Sequence, residues 1–461
     1  MFSTRRLVSA GWLAAGWLLL ACIPSPADQV APTNTLAWLD KPLSLEDCLN
    51  LSLVQNSTIQ ISQQELEAVY GVVVQTRAIV IPKVRARSSY QKMDEQAIER
   101  IPVPFPITIP DQNWSANVQI VQSIFEGGRM RSALRSARLM KDQALFNHQA
   151  VVADTLLEVR VAYDQVLLAE QQILVQEASV KLLTQELEDT SRRYEAGTVP
   201  RFNVLRAEVE RANARPRLIK AKNACRIAKN NLAHLLGYRL PKETWEDLPM
   251  QLSGKLEAVP YDVALPVALA QALERRPELG ALRKAESLRQ EAIATARGGA
   301  KPSIQVFTGY GSRNSSYSRD MSMDISGWFA GGQLSWDIFD GLLTQGKVDE
   351  AKARYRQAQI AVDDTTRRIE LEVRTAYSYY SEAKEVLESQ KKVVEQAEEA
   401  LRLATARSEA GTGTQLDVLG AQTSLTEART TQIVALHDYS VARARLERAI
   451  GQNLIPSTAV K

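Results

Sequence analysis

A six-residue segment that occurs twice constrains the fold of this 461-residue chain more than any other feature. It has the sequence RYEAGT at 193–198 and RSEAGT at 407–412, so the second copy follows the first by 214 positions (193 to 407). A long helical pattern precedes the glycine of each copy, and a new helical pattern begins soon after it. A glycine just past a helix end supplies the left-handed residue that stops the helix. Each copy therefore predicts a tight tip between two helices, and we expect Thr198 and Thr412 to accept hydrogen bonds from the free N–H groups of the following helix.

The duplication extends over most of the chain. At the same offset, FEG at 125–127 matches FDG at 339–341. Nearer the front of each half the offset is 220, as between Pro82 and Pro302. The offset of 214 residues holds for matches spread over most of each half, which indicates two related halves. The chain is therefore divided into a first structural repeat at 45–237, an inter-repeat linker at 238–262, a second structural repeat at 263–451 and a C-terminal tail at 452–461.

Each repeat predicts the same elements in the same order. A helix comes first, at about 45–80 and about 265–299. Two strands follow, at about 83–93 and 113–125 in the first repeat and at about 302–312 and 328–339 in the second. A very long helix comes next (about 128–195 and 342–409), and the tip leads into a shorter helix (about 201–236 and 415–450). Apolar residues recur along the long helices with heptad spacing, which predicts coiled-coil packing over ~100 Å.

The predicted strands alternate between apolar and polar side chains. In the first repeat Trp114, Val118 and Ile120 share one face, whereas Asn117 and Gln119 lie on the other. Strands of this kind with aromatic residues near their ends are typical of outer-membrane barrels, although a half-buried soluble hairpin has the same period. Four strands are too few to close a barrel, and lipid does not tolerate open edges. Membrane strands would therefore require two, three or four chains to share one barrel.

The first residues predict export. Arg5 and Arg6 precede an apolar stretch, Leu7–Leu20, that is too short for a confident spanning helix. We interpret 1–21 as a signal peptide. The sequence LLAC ending at Cys22 resembles a bacterial lipobox, which predicts acylation of Cys22 and a lipidated N-terminal segment at 22–44. The alternative is an ordinary secretory signal with a chance cysteine.

The remaining residues give no sign of catalysis. The histidines His148, His234 and His437 each stand alone in a helical pattern, without ligand spacing, so we expect surface or packing roles and no metal site. No phosphate-binding glycine loop is present, and we expect neither an enzyme nor a cofactor. Net charge is only +3 with no basic tract, so nothing favours nucleic acid. In an exported protein Cys48 and Cys225 could pair, but they lie in separate helical patterns without framework spacing, so we expect two buried free thiols.

Together, the signal sequence, the duplicated halves and the two tips resemble the TolC-type outer-membrane efflux protein family, from about Leu43 to Gly451. The resemblance implies a mainly α protein with membrane β. Its long coiled-coil helices would form a periplasmic α-barrel, and its four strands would join a shared 12-stranded outer-membrane barrel in a homotrimer. It also implies an exit duct of a tripartite efflux or type I secretion system. Such a duct passively conducts substrates from a periplasmic membrane-fusion adaptor and an inner-membrane RND pump or ABC exporter to the exterior.

The resemblance also assigns site residues. The family's tips form the periplasmic entrance and touch the adaptor, which implies contacts at Arg193, Gly197, Thr198, Arg407, Gly411 and Thr412. Asp417 stands where several members narrow the pore with an aspartate. Gly420 replaces a second acidic residue, and Asn203 is the first-repeat equivalent of Asp417, so at most one acidic ring is expected. Two simpler roles remain open, namely an exposed helix-face position for Asp417 and arginine contacts with helix-end carbonyls.

A second functional class is a periplasmic structural or adaptor coiled-coil lipoprotein with soluble hairpins. The strands discriminate between the two classes, because a duct needs a lipid-facing stripe with aromatic girdles on every strand. Trp114, Trp328 and Trp336 would supply part of one girdle.

Overall fold

The structure is a computed structural model that describes residues 41–98, 109–238, 248–316 and 320–452. The signal peptide, Cys22, most of the loop after the first strand, part of the linker and most of the tail lie outside these ranges. The described helices are α1 (Leu45–Gln55), α2 (Ser57–Arg77), α3 (Arg129–Glu195), α4 (Arg201–Leu235), α5 (Leu265–Arg275), α6 (Pro277–Arg297), α7 (Leu343–Glu409) and α8 (Gln415–Ile450). The described strands are β1 (Lys83–Lys92), β2 (Gln112–Glu126), β3 (Ser303–Asn314) and β4 (Asp324–Ser335).

The two long helices dominate the architecture. Both α3 and α7 have 67 residues, a length of ~100 Å, and their ends agree with the sequence prediction to within about a residue. α3 lies in the middle of the chain's helices and packs against α2 and α4 of its own half. It also packs against α6 and α8 of the other half, which in turn pack against α7. The order across the bundle is therefore α2/α4, α3, α6/α8, α7.

The predicted heptad positions form the core. Val159 and Val166 of α3 are fully buried, as is Val373 of α7. Each half has its own apolar cluster, built around α3 in the first half and α7 in the second. Cys48 and Cys225 are buried thiols and neither forms a disulfide, which confirms the prediction. Burial raises the pKa of the Cys48 thiol to about 12.

The prediction of one front helix per half is wrong, because each is broken in two. Asn56 ends α1 and begins α2, and its side-chain oxygen accepts hydrogen bonds from the N–H groups of Thr58 and Ile59. In the second half the break falls at Arg276, the residue before Pro277, where proline disfavours helical geometry. Both signals are visible in the sequence, but the apolar periodicity continues across them.

The two breaks make the same contact in both halves. Asn56 donates its side-chain N–H to the Leu235 carbonyl at 2.7 Å, and Arg276 donates to the equivalent Ala449 carbonyl at 3.4 Å. Next to each contact, a glycine at the end of the short helix has a positive φ, +79° for Gly237 and +77° for Gly451. We call these two places the junctions. They fix the broken front helix of each half against the end of its α4 or α8.

The described part of the linker crosses the helices near the junctions. Its Gly254 N–H donates to the Tyr163 hydroxyl at 3.0 Å, and Tyr163 itself donates to the Leu43 carbonyl. In the other half, the Tyr380 hydroxyl donates to the Tyr261 carbonyl and Tyr439 donates to Val259. Tyrosine hydroxyls therefore hold the linker to both halves.

The strands form one antiparallel sheet in the order β1-β2-β3-β4. A bulge at Ile124 shifts the register at the end of β2. β4 begins and ends four residues earlier than predicted, so Trp336 lies beyond it and donates its ring N–H to the Ala300 carbonyl at 3.1 Å. The predicted bounds followed the tryptophans, whereas Asp324–Gly327 pairs with the end of β3. Along the described helices, no stretch is both long and apolar enough to cross a membrane.

The junction geometry predicts a large difference between two glycine substitutions. A Cβ added at Gly237 would lie 2.3 Å from the Gln55 carbonyl oxygen, and its φ is also unfavourable for alanine. We expect Gly237→Ala to lower the free energy of unfolding by roughly 1–3 kcal/mol. Gly71→Ala is the control, because its Cβ meets nothing within 4 Å inside α2, where alanine is favoured. Thermal unfolding of the two purified variants, followed by circular dichroism, tests this. Equal melting temperatures would contradict the contact.

Candidate functional site: the helical tips and the sheet

The two tips lie side by side at one end of the bundle. Residues of both line a cleft of about 850 Å³, which includes Arg193, Phe202 and Arg206 from the first tip and Glu409 and Leu416 from the second. A polar contact crosses between them, because the Gln415 side chain donates to Glu186 at 3.0 Å and also to Thr190. The repeated segments therefore combine into one surface.

At the first tip, α3 ends just before a glycine in the left-handed conformation. Gly197 has a φ of +73°. The Thr198 N–H donates to the Arg193 carbonyl at 2.9 Å, and the Gly197 N–H donates to the Tyr194 carbonyl at 2.9 Å. This pair of bonds is a Schellman motif, which satisfies the last carbonyls of the helix. The predicted turn at Gly197 is confirmed.

The second tip repeats this geometry with one correction to the prediction. Gly411 has a φ of +71°, and the Thr412 N–H donates to the Arg407 carbonyl at 2.9 Å. The hydroxyls of Thr198 and Thr412 donate to the carbonyls of Arg193 and Arg407, at 2.8 and 3.3 Å. The prediction that these threonines cap the following helix is therefore wrong. The sequence contains a second candidate cap, Thr414, which performs that role for α8.

Asp417 is the partner of Thr414 in a capping box. Its carboxylate accepts hydrogen bonds from the Thr414 backbone N–H at 3.0 Å and hydroxyl at 2.8 Å. These bonds, with a smaller contribution from Arg407, lower the pKa of the Asp417 carboxyl. Their stabilisation is present above the carboxyl's ordinary pKa and is lost as the pH falls through the lowered value. The side chain remains exposed, with its direction fixed by Thr414.

Sequence reasoning missed the apolar residues of the cleft. Phe202 and Leu416 occupy equivalent positions, 214 apart (202 to 416), in the first turns of α4 and α8. They are 66% and 50% exposed. Equivalent residues at the next turn differ, because Leu419 is buried and Leu205 is exposed. A large apolar side chain at the same exposed place in both repeats was the signal that could have identified them.

Arg193 and Arg407 are both exposed. Within the described residues neither forms a side-chain hydrogen bond or ion pair. Their proposed pairing with helix-end carbonyls is therefore not observed, since threonine hydroxyls fill those positions.

The sheet lies at the opposite end of the long helices from the tips. Its cross-strand pairs divide the side chains into two faces. One face carries apolar residues from all four strands, with Ser88, Gln122, Thr308 and Ser312 among them: Val84, Ala86, Tyr90, Trp114, Ala116, Val118, Ile120, Ile304, Val306, Tyr310, Trp328, Ala330 and Leu334. Tyr90 pairs with Trp114, and Tyr310 pairs with Trp328, so this face carries two cross-strand aromatic pairs, four residues apart along the sheet. The opposite face is mainly polar.

The histidines have packing or surface roles. His148 contacts the Ser62 hydroxyl at 2.8 Å, and burial lowers its pKa. His437 is buried and contacts Asp438, whereas His234 is exposed. In the part of the chain that the structure describes, no three His, Cys, Asp or Glu side chains are grouped closely enough to hold a metal ion.

Known proteins share the sequence pattern and the architecture of this chain. The family described as "Outer membrane efflux protein" matches residues 48–238 and 268–452. The chain is 26% identical to the cobalt-zinc-cadmium resistance protein CzcC of Cupriavidus metallidurans, over 89% of this chain and 90% of the relative. It is 25% identical to the alkaline protease secretion protein AprF of Pseudomonas aeruginosa, over 88% and 83%. The solved outer-membrane channel OprN superposes with a TM-score of 0.75 at 21% identity, covering 91% of this chain and 92% of OprN.

The family match covers both structural repeats and leaves out most of the linker between them. It confirms the resemblance that the tips and the duplication indicated, and with it the expectation of an outer-membrane channel rather than an enzyme. The chain belongs to the outer membrane efflux protein family.

Proposed function

We propose that three copies of this chain form the exit duct of a tripartite efflux or secretion system, with a shared 12-stranded barrel in the outer membrane. The observation that carries the proposal is the sheet. It has one apolar face, yet in the described residues its outer strands, β1 and β4, each have one edge without a strand partner. A lipid-embedded sheet must be closed, because unpaired backbone groups cost several kcal/mol each in hydrocarbon.

The flanks of the helical bundle support the same assembly. α7 forms one flank, and Ile360, Leu371 and Tyr379 on it are each at least 60% exposed. α2 and α4 form the other flank, where Ile61 and Ile219 are similarly exposed. Packing of one flank against the other would remove these large apolar side chains from water. In a ring of three copies the α7 flank of one chain would pack against the α2/α4 flank of the next and form a helical barrel.

The tip cleft is the proposed docking site for the adaptor. Exposed apolar side chains there, Phe202 and Leu416, are flanked by the cations of Arg193 and Arg206 and, among the described residues lining the cleft, by the single carboxylate of Glu409. This combination suits a helical hairpin with apolar and acidic residues. The inner-membrane partner would be an RND pump or an ABC exporter. The relatives CzcC and AprF are named for metal resistance and protease secretion, so channels of this kind serve different cargoes, and the pump would select the cargo.

Asp417 remains the proposed constriction of the pore. Its carboxylate is exposed and is held at the start of α8 by Thr414. Three copies would place three carboxylates at the periplasmic entrance. In the first repeat the equivalent residue is the uncharged Asn203, so the entrance would carry a single acidic ring.

The oligomeric state tests the duct directly. We expect native mass spectrometry of the full chain, extracted from membranes in detergent, to show a trimer that dissociates on heating. A soluble monomer or dimer would instead favour a periplasmic structural coiled-coil protein, because its strands could not then span the membrane.

Docking at the cleft predicts that Phe202→Glu with Leu416→Glu abolishes efflux while the trimer still forms. Two carboxylates would replace the apolar contact and would need to be desolvated on docking. Phe202→Leu with Leu416→Met is the matched control and should retain efflux. The measurement is growth of the source bacterium, with its chromosomal copy replaced, on compounds that inhibit a strain lacking the chain. Wild-type growth of the glutamate variant would reject the cleft as the docking site.

Acylation of Cys22 remains a proposal, since this residue lies outside the described part of the chain. We expect the mature N-terminal peptide to begin at Cys22 and to carry diacylglycerol and an amide-linked fatty acid, and Cys22→Ala to lack both. The barrel should still anchor the variant. Mass spectrometry of the N-terminal peptide decides, since an unmodified cysteine in the wild-type chain would exclude lipidation.

A further inference from the structure

We infer that the water-facing wall of the barrel carries a positively charged stripe, formed by Lys83, Arg85 and Arg87 of β1, which favours anionic solutes over cations in this section of the duct. The inference rests on the proposed function, because it takes the polar face of the sheet to line the lumen. It adds a residue set that acts on the passing solute, at the opposite end from the tips.

The three cations share one face of β1. They stand at alternate positions, and Val84 and Ala86 between them point the other way. The apolar set that includes Val118 and Tyr310 continues the face of Val84 and Ala86 across the sheet. A charged side chain on the lipid face near the membrane midplane would cost about 2–4 kcal/mol. The stripe must therefore face water, where it covers ~13 Å of wall at 3.3 Å per residue.

Neutral residues surround the stripe. Lys83 pairs with Val121, Arg85 with Gln119, and Arg87 with Asn117 across β1 and β2. The next two strands continue these rows with neutral residues: Phe307, Gly309, Gly311, Gly327, Phe329 and Gly331.

No carboxylate balances the stripe nearby. Among the paired rows of the described sheet, the polar face carries a single carboxylate, Glu126, five positions beyond Val121 at the end of β2. Arg313, near the other end of β3, adds a further cation to this face. None of Lys83, Arg85 and Arg87 forms an ion pair among the described residues. Their charges therefore act on the lumen rather than on a partner.

The glycines in these rows keep the wall open beside the stripe. The Phe329 ring lies over Gly309, where an added Cβ would come within 2.8 Å of it, and Phe307 lies over Gly331 in the same way. The two rings are 6.3 Å apart and lie against the sheet, covering backbone that glycine leaves bare. A solute passing this level therefore meets three cationic side chains per copy and two flat aromatic surfaces.

A cysteine placed inside the stripe would measure its potential. Gln119→Cys puts a thiol opposite Arg85 on the polar face. The purified full-length trimer is treated in low salt with two methanethiosulfonate reagents, one carrying a sulfonate and one a trimethylammonium group. Both reagents attack the same thiolate, so the ratio of their rates cancels the thiol pKa. Labelling of the chain without this substitution gives the background from the native cysteines.

We expect the sulfonate reagent to be favoured at this thiol relative to free cysteine in the same buffer. Adding Arg85→Gln and Arg87→Gln should lower the ratio of the sulfonate rate to the trimethylammonium rate about fivefold or more, because one unit charge at ~7 Å in water changes the two rates in opposite directions by ~0.6 kcal/mol each. Arg85→Lys with Arg87→Lys is the matched control and should leave the ratio unchanged. Raising the salt to 1 M should remove the preference.

Two results would overturn the inference. A ratio equal to that of free cysteine, or one that the glutamine variants leave unchanged, would show that the stripe does not set the potential of the wall while leaving the duct intact. A thiol in the trimer that resists both aqueous reagents would show that this face is not lined by water, and it would count against the proposed barrel itself. Native mass spectrometry of each variant confirms that trimers are being compared.

Discussion

The need to hydrogen-bond every backbone group in lipid governs this structure. A sheet of four strands meets that need internally but leaves the outer edges of β1 and β4 without strand partners in the described residues. In a single chain the helices form their backbone hydrogen bonds internally, whereas the sheet cannot form those of its two outer edges. The apolar flanks of α7 and of α2/α4 agree with this, because they too lack a covering layer. In the proposed trimer, closing the sheet and covering the flanks would be one event, so insertion of the barrel and assembly of the helices would be thermodynamically linked.

Duplication explains how one chain supplies both halves of such a wall. The junction contacts, Asn56 with the Leu235 carbonyl and Arg276 with the Ala449 carbonyl, occur at equivalent positions although an amide serves in one half and a guanidinium in the other. What the repeats share is therefore a geometric requirement, a donor that reaches the end of the neighbouring helix. The halves differ in surroundings, since Arg276 also forms an ion pair with Glu372 at 2.8 Å and Asn56 carries no charge.

Periodic and conformational signals made much of the fold predictable from the sequence. Heptads gave α3 and α7 with correct ends, and the glycines at 197 and 411 gave the tips, since few residues other than glycine tolerate their φ. Local competition was harder to predict. Thr198 had two possible partners, and proximity to the preceding carbonyl decided in favour of Arg193. The breaks at Asn56 and Arg276 interrupt an apolar pattern that continues on both sides, so the pattern alone does not show them.

Only part of the candidate site could be predicted from the sequence, because the rest depends on how the helices pack. Charge and glycine mark the tips in the sequence, whereas the exposure of Phe202 and Leu416 depends on how α4 and α8 turn as they leave the tips. The cleft needs two segments more than 200 positions apart, as from 193 to 407. For the sheet, alternation predicted two faces, and only the pairing of β1 with β2 showed that the basic residues lie among neutral neighbours.

The distance between a junction and its tip determines how far the tip would move when the helix tilts at the junction. From Gly237 to the tip, α4 extends over 35 residues, or ~50 Å. Because α4 packs against α3, the two helices would tilt together as a lever arm, and a tilt of about one degree at the junction would displace the tip by about 1 Å. An aperture at the tips would then widen without any change inside the tips themselves. Substitutions that alter gating would be expected at the fulcrum, far from the opening they control.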